Sequence, residues 1–335
     1  MSPALRVAVV GVGHLGKIHA RIYAQHSDAK LVCVVDVDLA RAVGVAEEHG
    51  AKAVRSVAEL PEGIDAASIV VPTVQHAAVA IPLLERGIPC LVEKPLASNL
   101  VEADRILEAA ERGGATLAVG HVERFQPGVR RLDELALEPK FIECHRLTRF
   151  PFRAMDVGVV HDLMIHDLDL VLHLVDSEVE SLDAAGGKIL TESEDMASVR
   201  LVFANGARAN VTASRVSLTP MRRLRMFSPS GYVSIDFAAC SGLYVRKGEG
   251  WEMGLEALRT RDPVELSQQP DFVTEEMLDV QRLELQGEER PLQAELDSFL
   301  KAVRQRSKPL VSGLDGRRAL ALAERIKAQI AAQDW

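Results

Sequence analysis

The stretch that decides the fold is Leu5-Arg6-Val7-Ala8-Val9-Val10-Gly11-Val12-Gly13-His14-Leu15-Gly16, answered by Asp36 at the end of the next apolar run. G-x-G-x-x-G alone is a weak signal. Here it follows an apolar strand, Arg6–Val10, and opens a helical pattern, Leu15–Gln25, and Asp36 lies 20 residues beyond Gly16. That is the context a dinucleotide-binding turn requires. Gly11 permits the tight turn, Gly13 lets backbone approach a pyrophosphate, and Gly16 lets helix and strand pack closely. With His14 and Leu15 they form a phosphate turn, where the helix amino end offers free N–H groups. Asp36 can accept from both ribose hydroxyls of an adenosine and would repel a 2′-phosphate. Val37 rather than Arg follows it, so the pattern favours NAD over NADP. The competing reading is a glycine turn in an unrelated α/β fold.

Outward from this turn, short apolar runs continue at Leu31–Val35, Ala67–Val71, Pro89–Val92 and Thr116–Val119. Helical patterns at Asp38–His49, Gln75–Arg86 and Leu100–Arg112 separate them. Such alternation predicts a parallel, doubly wound Rossmann sheet whose ligand edge lies at the strands' carboxyl ends. The pattern changes near residue 122. Val199–Ala204 and Ala207–Ala213 flank Asn205-Gly206, a hairpin signal, and Arg223–Phe227 and Tyr232–Phe237 repeat the arrangement. Phe141–Leu147 reads as another strand and Val157–Val175 as a helix; helices near 291–305 and 313–332 close the chain. Residues 249–282 are charged and poorly periodic and read as a surface excursion. The expected organisation is a Rossmann domain over 1–122 and an α+β domain over 123–335 with a largely antiparallel open sheet.

Composition narrows the function classes. With 335 residues, 47 % apolar and 26 % charged, the chain has material for about two globular domains. No 18-residue apolar run is present, and the first residues lack a secretory pattern. The formal charge of −9 argues against a nucleic-acid partner, and aromatics at 4 % argue against a stacking platform. Four dispersed cysteines, Cys33, Cys90, Cys144 and Cys240, fit a reducing cytoplasm and no zinc framework.

Two further strand ends aim at the ligand edge: Val71-Pro72-Thr73, with His76 just beyond, and Glu93-Lys94-Pro95. Proline after Lys94 restricts Lys94 to extended backbone. In the second half, Asp162 and His166 are four apart on the predicted helix and share a face, with Asp169 nearby. Oxidising an alcohol sends a hydride to a nicotinamide and a proton to a base. Histidine is the natural base near neutral pH, and an ammonium stabilises a developing alkoxide. An Asp–His pair also suits a solvated helix face, and Glu93-Lys94 also suits a plain salt bridge. A metal set of His161, His166 and His173 is the weaker alternative, because His161 only partly shares the face. His19 reads as packing or capping support, and Arg222, Arg223 and Arg225 as an exposed strand face or a diphosphate contact.

The motifs GVGHLGKIHA at 11–20, VPTVQHA at 71–77, EKPLA at 93–97, GHVERFQP at 120–127 and DLMIHDLD at 162–169 carry a resemblance. Over nearly its whole length the chain resembles the glucose–fructose oxidoreductase, myo-inositol dehydrogenase and rhizopine-catabolism family of NAD(P)-dependent sugar dehydrogenases. The resemblance implies that Lys94, Asp162 and His166 carry the chemistry, and that Gly11, Gly13, Gly16, Asp36, Thr73, His76, Glu93 and Lys94 meet NAD. It also makes Lys94–Pro95 a candidate cis peptide. Met164 stands where the family commonly has Gly, and Gln126 where Asn is frequent. The segments 120–125 and 149–170 look like those of the family's UDP-N-acetylglucosamine 3-dehydrogenases. That implies a nucleotide-sugar substrate, with Glu123, Arg124, Asp162 and His166 at its sugar and Arg153 as a candidate for sugar or diphosphate. Another sugar or polyol substrate remains open, as does a non-catalytic NAD sensor. A helix-free outer sheet face would need cover, so a homodimer or tetramer is expected.

Overall fold

The computed structural model describes residues 3–150, 157–260, 262, 273–285 and 290–333. They fall into two compact units: Met1–Phe125 with Glu289–Glu324, and Gln126–Glu288 with Arg325–Trp335.

The first unit is built on a six-stranded sheet of β1 (Leu5–Val10), β2 (Ala29–Val35), β3 (Lys52–Val54), β4 (Ala66–Ile69), β5 (Cys90–Glu93) and β6 (Leu117–Gly120). Its order is β3-β2-β1-β4-β5-β6, every neighbouring pair parallel. The helices are α1 (His14–Gln25), α2 (Leu39–His49), α3 (His76–Glu85) and α4 (Leu100–Gly113). Alternate strand residues serve opposite faces. Val7, Val9 and Val34 pack against Ala20 and Tyr23 of α1 and Ala42 and Val45 of α2. Ala8, Val10, Ile69 and Val92 pack against Leu83 and Leu84 of α3 and Ile106 of α4. The strand order reverses between β1 and β4, so their carboxyl ends open the crevice where such sheets bind ligands. The loop Gly11–Gly13 sits on that crevice.

The second unit carries an eight-stranded sheet: β7 (Phe141–Leu147), β8 (Val179–Gly187), β9 (Met196–Phe203), β10 (Arg208–Ser214), β11 (Met221–Ser228), β12 (Gly231–Asp236), β13 (Ser241–Lys247) and β14 (Leu278–Glu284). The order is β14-β13-β12-β11-β7-β10-β9-β8; only β7 and β10 run parallel. Its helices are α5 (Pro127–Leu135), α6 (Ile165–Val175) and α7 (Trp251–Thr260), and α6 packs on β7 and β10. The excursion expected over 249–282 instead contains α7 and most of β14. Their periodicity is faint because β14 buries little and α7 lies largely exposed.

Two late helices complete the molecule, α8 (Pro291–Gln305) and α9 (Gly313–Ala331). The segment 289–324, left in the second domain by sequence, is part of the first compact unit. The reason is cover. Leu91 of β5 and Ala118 of β6 face the α1 side of the sheet, and Leu296, Phe299 and Leu300 of α8 close over them in the same core as Tyr23.

One buried knot fixes the entry to the helix bearing Asp162 and His166. Arg215 is fully buried and pairs Nε to Asp195 Oδ1 at 2.7 Å. Its Nη1 donates to the Val157 carbonyl at 2.6 Å and its Nη2 to Thr191 Oγ1 at 2.7 Å and Ser193 Oγ at 2.9 Å. Asp195 Oδ2 accepts from the backbone N–H of Ile189, Leu190 and Thr191. The Glu194 carbonyl accepts from Val159 N–H at 2.9 Å, and its carboxylate from Val160 N–H at 3.4 Å. Burial alone would raise the Asp195 carboxyl, but these donors, led by Leu190 N–H and Arg215, outweigh it and hold it well below its ordinary 3.8. We expect Arg215→Ala to cost about 3–5 kcal/mol in denaturant unfolding, because it strands a buried carboxylate. Arg215→Lys, with no fork to reach four acceptors, recovers little. The Asp195 contribution is full above the ordinary carboxylate range and lost as pH falls below it, so acid unfolding of Asp195→Asn should be shallower than that of the parent.

Candidate active site

The first unit carries the dinucleotide turn. Gly11 has φ +86°, and a Cβ there would strike the Val70 carbonyl oxygen; one on Gly16 would strike the Gly11 carbonyl. A Cβ on Gly13 would meet nothing within 4 Å among the described residues. Two glycines are thus demanded by close packing and the middle one faces open space, as a pyrophosphate would need. α2 and α4 are capped by the side chains of Asp38 and Asn99, but the N-cap of α1 is Gly13, which has none. The first-turn N–H groups of α1 therefore have no side-chain cap and remain for an anion. His14 is exposed and Leu15 half-buried at this end. On chemistry and shape, these residues fit a dinucleotide.

Asp36 is buried, with Oδ2 accepting from Val12 N–H at 3.0 Å and Oδ1 from Asp38 N–H at 2.9 Å. Arg41 Nη1 reaches both carboxylate oxygens at 3.4 Å. Sequence reasoning looked for a cation at position 37 and missed this one, which arrives from the first turn of α2.

At the next strand ends, Thr73 is half-buried in a short helical turn and His76 is buried. The His76 ring nitrogens lie 3.0 Å from the Pro95 and Val71 carbonyls, so the imidazole ties the loop after β4 to the loop after β5. Burial lowers its pKa despite those carbonyls, which leaves one N–H for two acceptors near neutrality. Lys94–Pro95 is cis, and Lys94 is half-buried with its N–H 3.3 Å from Glu93 Oε2.

Behind Lys94 lies a buried array of which the sequence reading missed Glu295. His19, fully buried, puts Nε2 3.3 Å from Glu93 Oε1, in keeping with a supporting role. Gly120 on β6 leaves room for the Glu93 carboxylate, which a Cβ would crowd. Glu295 of α8 is 1 % exposed, and neither carboxyl oxygen has a hydrogen-bond partner among the described residues. Burial, with the charge of Glu93 second, pushes its pKa well above the ordinary 4.5. Its position was detectable: in α8 an acid occupies the apolar stripe with Leu296 and Phe299. Glu123 and Arg124 are buried in the turn Val122–Phe125 after β6.

The second unit carries Asp162 and His166. Val160–Met164 forms a π-turn that runs into α6, a feature frequent at functional sites and invisible to helical periodicity. Asp162 and His166 are half-buried on this segment. It is held on one side by the Arg215 knot. On the other, Arg146 of β7 grips Asp167 with two 2.8 Å bonds, both residues buried. Asp169 is buried as well. His173 Nε2 sits 2.8 Å from Asp133 of α5, and no group of three or more metal-ligating side chains forms among the described residues. Arg153 lies outside the described residues.

A carboxyl kept neutral by burial has a stability signature. Between 4.5 and its raised folded value, the folded state holds a proton that the unfolded state has released, so stability falls as pH rises. Glu295→Gln removes that slope. Its melting temperature should exceed the parent's by a margin that widens from about pH 5 to about pH 8. A margin independent of pH in thermal melts would show that Glu295 is not a raised acid.

Comparisons with known proteins agree with this fold. A model described as oxidoreductase family, NAD-binding Rossmann fold matches residues 5–121, and one for the GFO/IDH/MocA C-terminal domain matches 138–233. The UDP-N-acetylglucosamine 3-dehydrogenase of Acidithiobacillus ferrooxidans is 35 % identical over 98 % of each chain. A solved structure of that enzyme superposes with a TM-score of 0.86 at 33 % identity, over 99 % of each chain. The myo-inositol 2-dehydrogenase of Thermotoga maritima is 27 % identical over 97 % of this chain and 96 % of its own. The chain belongs to the GFO/IDH/MocA oxidoreductase family, with an NAD-binding Rossmann domain formed by its amino-terminal part.

Proposed function

We propose that the protein is an NAD-dependent dehydrogenase that oxidises the 3-hydroxyl of a UDP-linked N-acetyl sugar, UDP-N-acetylglucosamine, to a 3-keto sugar. The observation that carries this reading is the end-to-end similarity, at 35 % identity, to an enzyme named for that reaction. Bound NAD supplies the hydride acceptor. The uncapped end of α1 holds the pyrophosphate, and Asp36 holds the adenosine ribose. Lys94 places its ammonium against the substrate oxygen and stabilises the alkoxide as it forms. His166 takes the hydroxyl proton, and Asp162, one turn earlier, orients the imidazole. Glu123, Arg124 and Arg153 belong to the sugar end in this reading. The second reading, a polyol dehydrogenase, is favoured by the full-length likeness to a myo-inositol 2-dehydrogenase.

Reduced-cofactor absorbance with NAD and a panel of UDP-N-acetylglucosamine, its 6-carboxylate, myo-inositol and glucose separates the two. Reduction only with the free polyol would overturn the nucleotide-sugar assignment, and NAD binding with no turnover on any member would point to a sensor. Lys94→Ala should lower kcat about 10²–10³-fold while NAD still binds. Retained turnover would remove Lys94 from the chemistry.

Two coarser features complete the proposal. No helix among the described residues is long and apolar enough to cross a membrane. Together with the four free cysteines, three of them buried, this supports a cytoplasmic location. The outer face of the second sheet bears polar pairs such as Ser198–Thr212 and Arg225–Glu143. It also bears an aromatic strip, Phe141–Phe227–Tyr232, with ring centroids 5.8 and 4.7 Å apart, near exposed Val280. We assign this face to a second copy of the chain. Sedimentation at micromolar concentration should give a dimer or tetramer, and a monomer would refute the assignment.

A further inference from the structure

We propose that Glu295 is a positioning residue for the Glu93-Lys94 strand end: it serves as a neutral acid, and its ionisation displaces Glu93 and, with it, Lys94. The inference deepens the dehydrogenase reading and rests on it for the role of Lys94. On the α1 side of the first sheet, the apolar core gives way to a polar layer near the strand ends. Alternate strand residues share a face. Ser68 therefore follows Ala66 on β4, Glu93 follows Leu91 on β5, and Gly120 follows Ala118 on β6. Tyr23 Oη lies 2.8 Å from Ser68 Oγ and His19 Nε2 lies 3.3 Å from Glu93 Oε1. The Glu93 carboxylate fills the space that a Cβ on Gly120 would need. α8 lowers Glu295 into this layer. Its side chain lines a small cavity with Leu91, Ala118, Phe125 and Ser298. Leu91 precedes Glu93 on that face, so the two carboxyls stand about one side-chain step apart along β5, roughly 6.5 Å. Their fields meet: burial, against the Ser68 bond, raises the Tyr23 phenol, and Glu295 and Glu93 both push it further.

The charges around Glu295 do not balance it. The layer holds one base, His19, for two acids, and that base stands at Glu93. α8 also packs on the turn Val122–Phe125, which bears Glu123 and Arg124, and the Arg124 charge is felt at Asp315 of α9. Asp297, two residues on, turns toward solvent and meets His26 at 2.7 Å. Neither Glu295 oxygen has a hydrogen-bond partner among the described residues. A buried carboxyl without a donor keeps its proton. An apolar side chain would be cheaper to bury here. What the acid adds is a charge that can appear. Once ionised, it repels the Glu93 carboxylate, whose oxygens are held at 3.3 Å by His19 Nε2 and by the Lys94 N–H. Contacts of that length are weak and give way first, and the Lys94 backbone follows.

The Lys94 amide is the reporter, because its N–H faces Glu93. In amide proton–nitrogen NMR spectra of the full chain, the parent's Lys94 signal should step as rising pH ionises Glu295. In Glu295→Gln, neutral at every pH, the step should vanish. Infrared difference spectra, parent minus variant, should carry the C=O stretch of a protonated carboxyl at neutral pH. With whichever sugar turns over, the alkaline fall of kcat should move up by at least about one pH unit in Glu295→Gln. Should that variant fail to fold, Glu295→Met, neutral and of similar length, reads the same quantities. A parent without the Lys94 step, a step that survives in the folded variant, or a missing protonated carboxyl overturns the proposal. So does an alkaline limb that stays in place, which then belongs to Lys94 itself. A parent that turns over no member of the substrate panel strikes the dehydrogenase reading instead, and the amide and infrared readouts still decide whether Glu295 governs Glu93.

Discussion

The structure depends on how β1 hands the chain to α1. Gly11 N–H bonds to the Val35 carbonyl at 2.7 Å, Val12 N–H to Asp36 at 3.0 Å, and Val70 N–H to the Val10 carbonyl at 2.7 Å. Three strand ends are thereby locked around one turn. Gly16 must lie on the Gly11 carbonyl for this to close, which sets α1 against the sheet with its amino end toward the crevice. Were the turn looser, the uncapped N–H groups of α1 would solvate elsewhere and the site would lose its anion hold. Asp36 serves this turn as a brace before it serves any ligand.

The first sheet was legible because its signals are local. Five of its six strands lie in short, mostly buried apolar runs that composition marks; β3, three residues with only Val54 buried, was missed. The Asn205-Gly206 hairpin and strands such as Phe141–Leu147 were legible for the same reason: alternation and turn chemistry survive in a half-buried sheet. β8, β13 and β14 were not. β13 reads Ser-Gly-Leu-Tyr-Val-Arg-Lys with only Tyr244 buried, and its pairing with β14 is fixed by register rather than by pattern. The place of α8 was hidden for another reason. Its apolar stripe says that it packs, and only the uncovered Leu91 and Ala118 say against what. In the site, glycines and Asp36 could be read directly; Arg41, five residues past Asp36, and Glu295, an acid in an apolar stripe, left local signals that went unread, whereas the Arg215 knot joins residues distant in sequence.

The protein treats its buried charges in two ways. Asp195 and Arg215 are both charged, and nearly every lone pair and N–H is spent: three backbone donors, two hydroxyls and a carbonyl surround them. Breaking such a pair costs far more than forming it gains, so its value lies in uniqueness of geometry. Glu295 has no such company. With Glu93 already charged nearby, burial leaves it one affordable state, the protonated one. The first solution holds a segment in place; the second keeps Glu295 from adding a charge beside Glu93.

This division bears on catalysis. Asp162 sits in the π-turn and His166 in the first turn of α6 that follows it, and a π-turn rarely persists unless its surroundings demand it. Here the Glu194 and Arg215 contacts fix the entry, and the Arg146–Asp167 fork fixes the turn just after His166. A proton acceptor misplaced by about 1 Å loses on the order of 10² in rate. A chain with net charge −9 would gain nothing from long-range attraction to the anionic nucleotide sugar proposed above. It must rely on local cations and on geometry. In the proposed mechanism, the cost of burying Arg146, Asp167, Arg215 and Asp195 is the cost of holding the His166 imidazole still.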